Sequence, residues 1–137
     1  MPDLNRILSA QTPLTLASVA RGAAPLVMAD LARAAAHASN GGRAVWIAPD
    51  EAGMRSVAEA AVFFAPELET IEYPAWDCLP YDRASPALSV SARRLSALHR
   101  LQSPTKSPQL FVTTVNAVLQ RTLTPFRIRE SVRTPTG

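Results

Sequence analysis

The stretch Tyr73-Pro-Ala-Trp-Asp-Cys-Leu-Pro-Tyr-Asp-Arg83 constrains the fold of this chain more than any other. Pro74 and Pro80 each fix φ and withhold an N–H, so the segment cannot be the interior of a helix or of a central strand. A loop holding Tyr73, Trp76 and Tyr81 must either wrap over the core or face a partner. The same stretch divides the chain electrically. Asp50 to Asp82 carries eight acids against one arginine, a net of −7, and Arg83 to Gly137 carries nine bases against one acid, a net of +8.

Regular elements flank this loop. Leu14 to Val19 reads as a short strand, and Ala20 to Pro25 as the turn into a helix on which Val27, Leu31, Ala34 and Ala38 recur at helical spacing. Asn40-Gly41-Gly42 stops that helix. Ala44 to Ala48 (Ala-Val-Trp-Ile-Ala) is apolar without alternation, the pattern of a strand buried on both faces of a parallel sheet. Asp50 is placed to cap the next helix, which lines Met54, Val57, Ala61 and Phe64 along one face and closes at Pro66. Glu69 to Tyr73 is a short strand.

After the loop, Ser85 or Ser89 is placed to cap a helix. That helix turns Leu88, Ala92, Leu95, Leu98 and Leu101 toward a core and Arg93, Ser96 and Arg100 to another face. Leu110 to Thr113 is a strand, Val115 to Leu119 a short helix, and residues 124 to 137 an irregular, arginine-bearing stretch. Strands alternating with helices predict an α/β fold: a three-layer sandwich around a mainly parallel sheet. The chain is long enough for one cored domain. Residues 1–123 form that domain, and residues 124–137 read as a linker or the opening of a following domain cut short.

Composition excludes several function classes. With Cys78 as its single cysteine, the chain can build neither a disulfide framework nor a structural zinc site from its own thiols. It opens without a signal peptide, and its apolar runs fall short of the ~20 residues that cross a bilayer, so a cytoplasmic location is expected. Thirteen of the fourteen bases are arginine. Arginine suits phosphate and carboxylate recognition, but this bias equally fits a genome that favours Arg and Ala, so a charge of +3 does not by itself indicate nucleic acid.

Reactive groups are sparse. A phosphate would bind at the loop after the first strand, Ala20 to Pro25, but that loop has one glycine and no lysine, and Pro25 removes an amide. Gly22 stands alone, so the dinucleotide fingerprint is missing. Asp77 and Asp82 are paired carboxylates without a histidine companion nearby in sequence, and loop capping or a partner salt bridge is the simpler reading. His37 and His99 have no carboxylate or cysteine at metal spacing. Cys78 lacks a neighbouring base, which points to a structural thiol. The possible interaction surface is therefore Arg83, Arg93, Arg94 and Arg100 together with Trp76, Asp77 and Tyr81. It could contact phosphates without sequence specificity, or dock against the acidic half of the chain or another domain.

The run from Tyr73 to Pro86 resembles the N-terminal region of the bacterial transcription-repair coupling factor (Mfd) family. The likeness continues through Arg94-Leu-Ser-Ala-Leu-His-Arg-Leu101 and Val112-Thr-Thr-Val-Asn-Ala-Val-Leu-Gln-Arg121, and fits Arg43-Ala-Val-Trp-Ile-Ala-Pro-Asp50. It spans roughly residues 10 to 125; the loop motif is specific and the Ala-rich helices are not. The resemblance implies a degenerate P-loop (RecA-like) helicase lobe, similar to the first lobe of the excision-repair helicase subunit UvrB, that has kept its shape and lost a working ATP site. It implies no cofactor in this chain, since ATP and magnesium belong to distant helicase domains of the full-length relative, an ATP-dependent DNA translocase.

The partners it implies are the remaining domains of the same factor and UvrA through the domain that follows. RNA polymerase and DNA are reached through distant domains. A non-catalytic scaffold is the expected role. A phosphate-contacting DNA-binding lobe and a small α/β enzyme of unknown type are the alternatives.

Overall fold

The computed structural model describes residues 3–38, 43–78, 85–105 and 107–132. A short helix α1 (Leu4–Leu8), capped by Asp3, is followed by an irregular segment and a 3-10 turn at Arg21–Ala23. Then come α2 (Ala24–Ala38), β1 (Arg43–Ala48), α3 (Glu51–Phe64), β2 (Glu69–Tyr73), α4 (Leu88–Gln102), β3 (Gln109–Thr114), α5 (Val115–Leu119) and α6 (Pro125–Val132). The described strands form one parallel sheet in the order β1-β3-β2. The Asn40-Gly41-Gly42 stop lies outside the described residues.

The sheet is covered on both faces, but unequally. α2 and α3 close one face over Ala44, Ala48, Leu110 and Val112. α4 closes the other over Ile71, Tyr73 and Phe111 through Ala97, Leu98 and Leu101. The chain steps outward from β1 to β2 through α3 and back to β3 through α4, and right-handed crossovers then place these two helices on opposite faces. β3 lies between its neighbours and is buried along its whole length.

α2 and α3 meet through small side chains. Ala29, Ala32, Ala58 and Ala61 are all buried, which lets the helix axes approach closely. The deepest face of α2 is therefore the alanine face, while Val27, Leu31 and Ala34 are only half-buried.

Several sequence expectations are corrected. Leu14 to Val19 is not a strand: Ser18 has φ of 60°, a left-handed conformation that breaks an extended run, and Leu14, Leu16 and Val19 are exposed. β1 is not buried on both faces. As an edge strand that α4 touches only at Arg43, it leaves Val45 and Ile47 about half exposed (53% and 51%) while Ala44 and Ala48 face the core. Phe64 is exposed, and Ala58 takes the inward position beside Ala61. α4 is rotated from the expected face, so that Leu88 and Ala92 are exposed and Arg94 and Ala97 are buried.

Residues 125–132 are helical. Ile128 is buried, and Arg129 Nε donates to Gln102 Oε1 at 3.0 Å, which ties α6 to α4.

A polar row crosses the amino end of the sheet. Arg43, Gln109 and Glu69 stand in register on the three strands and are joined by hydrogen bonds from Arg43 to Gln109 and from Gln109 to Glu69. Arg43 also donates to the carbonyls of Leu101 and Ser103, each at 2.7 Å. It thereby supplies donors and positive charge where the carbonyls at the end of α4 lack helical partners.

Candidate functional site

Because the strands are parallel, Ala48, Tyr73 and Thr114 end at the same edge of the sheet. In open α/β sheets this edge is where ligands bind. Here the chain's own side chains fill it. Asp50 caps α3 by accepting from Gly53 N–H at 2.7 Å, and Thr114 caps α5 by accepting from Ala117 N–H at 3.2 Å. Glu51, in the first turn of α3, reaches across to accept from Ala75 N–H at 3.1 Å. Carboxylates thus hold the positive end of α3, the position an anion would need.

The described part of the aromatic loop, Tyr73 to Cys78, lies over this edge and is held by Arg94. Only 2% of Arg94 is exposed. Its Nη2 donates to the Tyr73 hydroxyl at 2.6 Å, and its Nη1 donates to the Pro74 carbonyl at 2.6 Å and to Gln120 Oε1 at 3.2 Å. The guanidinium carbon lies 4.2 Å from the ring centres of both Tyr73 and Trp76, close enough for cation–π attraction on two sides. Gln120 Oε1 also accepts from Trp76 N–H at 2.8 Å, and Thr113 Oγ1 donates to the Tyr73 carbonyl at 2.9 Å. The Tyr73 ring leans on Phe111, 5.7 Å between centres.

Among the described residues, none of the acceptors around Arg94 is a carboxylate. Desolvation lowers the Arg94 pKa, against the attraction of Tyr73, but the guanidinium starts so high that it stays charged. Burial likewise pushes the Tyr73 phenol up, and Arg94 opposes this by favouring phenolate. A folded value above the ordinary ~10 means Tyr73 contributes stability that is fully present below that pH and lost as pH rises through the folded value. In an ultraviolet titration, the difference between the parent chain and Tyr73→Phe should show one phenol ionising above ordinary tyrosine. Ionisation at or below the ordinary value would show that Arg94 outweighs burial at this ring.

The residues expected to form an interaction surface separate into distinct environments. Arg94 is interior. Trp76 is half-buried on Arg94. Asp77 accepts from Ala87 N–H at 3.2 and 3.3 Å, at the start of α4, where neither Ser85 nor Ser89 provides the cap. Arg93 and Arg100 lie on the outside of α4 and pair with β2: Arg93 with Glu72 at 2.7 Å, Arg100 with Glu69 at 3.4 Å. The acidic and basic halves of the chain meet here. Tyr81, Asp82 and Arg83 lie outside the described residues.

The turn before α2 at Ala20–Ala23 follows the irregular segment rather than a strand. His37 is exposed and His99 and Cys78 are half-buried; among the described residues no three His, Cys, Asp or Glu side chains converge. No helix among them is long and apolar enough to cross a membrane.

Glu51, Gln120 and Arg43 carry much of this architecture and leave little trace in sequence. Gln120 and Trp76 are 44 residues apart, and no local pattern marks a glutamine that accepts from a distant amide. For Glu51 the one available signal is its place in the first turn after a capping aspartate. Set against protein-family models, curated proteins and solved structures, the chain matches none.

Proposed function

We propose that this chain is a non-catalytic scaffold, the degenerate RecA-like first lobe of a cytoplasmic transcription-repair coupling factor. It would orient the UvrA-recruiting domain that follows and pack against the other domains of the resting factor. The observation that carries this reading is the closed carboxyl edge of the sheet. The described part of the loop with the most specific family likeness, Tyr73 to Cys78, lies there, bound to Arg94, Glu51 and Gln120, along the edge where open α/β sheets take ligands. Pairing of Arg93 and Arg100 with β2 carboxylates supports interdomain packing over phosphate contact.

The test is binding of the chain to UvrA and, separately, to duplex DNA across a salt series. The expected result is negligible affinity for DNA and weak or no affinity for UvrA, with strong UvrA binding once the chain is extended past Gly137. Tight UvrA binding by these 137 residues alone would move the recruiting surface into the lobe. Salt-sensitive DNA binding that is lost in Arg93→Ala with Arg100→Ala would favour a phosphate-contacting lobe instead.

A further inference from the structure

Among the described strands β2 lies at an edge, and its outer edge borders a groove of about 390 Å³ against α4, lined by Thr70, Ile71, Glu72, Arg93, Ser96 and Arg100 among others. Glu69 N–H donates to the Pro108 carbonyl at 3.2 Å. In this parallel ladder, Glu69, Ile71 and Tyr73 therefore turn their main-chain groups toward β3, and Thr70 and Glu72 turn theirs toward the groove. The Thr70 hydroxyl is buried with no hydrogen-bond partner. An open edge is a template for another strand.

The charge pattern selects the strand that fits. Arg93 and Arg100 each hold one β2 carboxylate and remain half exposed, at 52%, so the walls balance two cations with two carboxylates. A wholly acidic or wholly basic segment finds like charge as well as opposite charge there. A second copy of the same groove, turned through a two-fold axis, finds its complement, as an isologous joint requires.

We infer that the outer edge of β2 pairs with the same edge of a second copy of this chain, antiparallel about a two-fold axis at Ile71. Thr70 of each copy then stands opposite Glu72 of the other, and each such pair exchanges both main-chain hydrogen bonds. The Ile71 residues between them form the closer, non-hydrogen-bonded pair. Each end of the joint gathers Arg93 and Glu72 of one copy with Arg100 and Glu69 of the other. Ala92 and Ser96 between the arginines let the two α4 helices approach.

Sedimentation equilibrium on the chain, from micromolar to submillimolar concentration, tests this without reference to UvrA or DNA. The expected species is a dimer. Thr70→Pro leaves the ladder to β3 intact, because the Thr70 N–H points away from it, and removes one donor per copy from the joint; dimerisation should weaken roughly thirtyfold. Arg100→Glu and Glu72→Arg should each be monomeric where the parent chain is dimeric. Mixed together they should form a heterodimer, because both ends then regain two charges of each sign.

A chain that is monomeric throughout overturns the inference. So does a dimer indifferent to Thr70→Pro, or one unaffected by the charge reversals. If Thr70→Pro does not fold, the charge-swap mixture decides, since it alters only half-exposed side chains.

Discussion

Arg94→Ala destabilises the fold by about 3 kcal/mol, as the balance of three effects. The Pro74 carbonyl, Gln120 Oε1 and the Tyr73 hydroxyl lose a donor in a place where water has little access. Two aromatic faces lose the cation between them, and a gap opens that the proline-bound loop cannot readily fill. Against this, the cost of burying an arginine without a carboxylate is relieved.

Arg94→Lys restores the charge but not the planar fork that reaches all three acceptors, so it should recover less than half of the loss. Urea unfolding at unchanged slope measures both variants, and Trp76 emission should shift to the red as its ring is exposed. A loss below about 1 kcal/mol for Arg94→Ala would mean that the loop is held by other contacts.

Leu110→Ala costs about 2–5 kcal/mol, because Leu110 is wholly buried at the centre of the sheet between helices that cannot collapse onto the space. Val45→Ala, on the neighbouring strand β1, costs less than about 1 kcal/mol, because Val45 is already 53% exposed. In sequence both residues look equally fit for a buried strand. The contrast in unfolding midpoints tests the unequal cover of the sheet. Equal losses would mean that the outer face of β1 is packed in solution.

Local chemistry made most of the regular elements legible. Asp50 before an apolar helix, the Pro66 stop, the run Ala44–Ala48 and the run Leu110–Thr113 each state their element within a few residues. Capping and steric bias act over that distance. The failures came where the outcome depended on a neighbour. Leu14–Val19 has the composition of a strand, but Ser18 turns left-handed and no β-ladder forms there. The α4 face could not be read from its leucines, because the buried position went to Arg94, whose acceptors come from Tyr73, Pro74 and Gln120.

Sequence by itself determined the alternation of strands and helices, the proline-bound loop after β2, and the separation of acidic from basic residues. Each of these is a property of near neighbours along the chain. Tertiary structure alone decided that Tyr73 to Cys78 lie over the carboxyl edge of the sheet, that Arg94 is interior while Arg93 is exposed, and that β1 keeps an open face. Whether an arginine is desolvated depends on acceptors as many as 26 residues away in sequence. Hydrogen bonds and burial are settled by proximity in space, which local pattern does not encode.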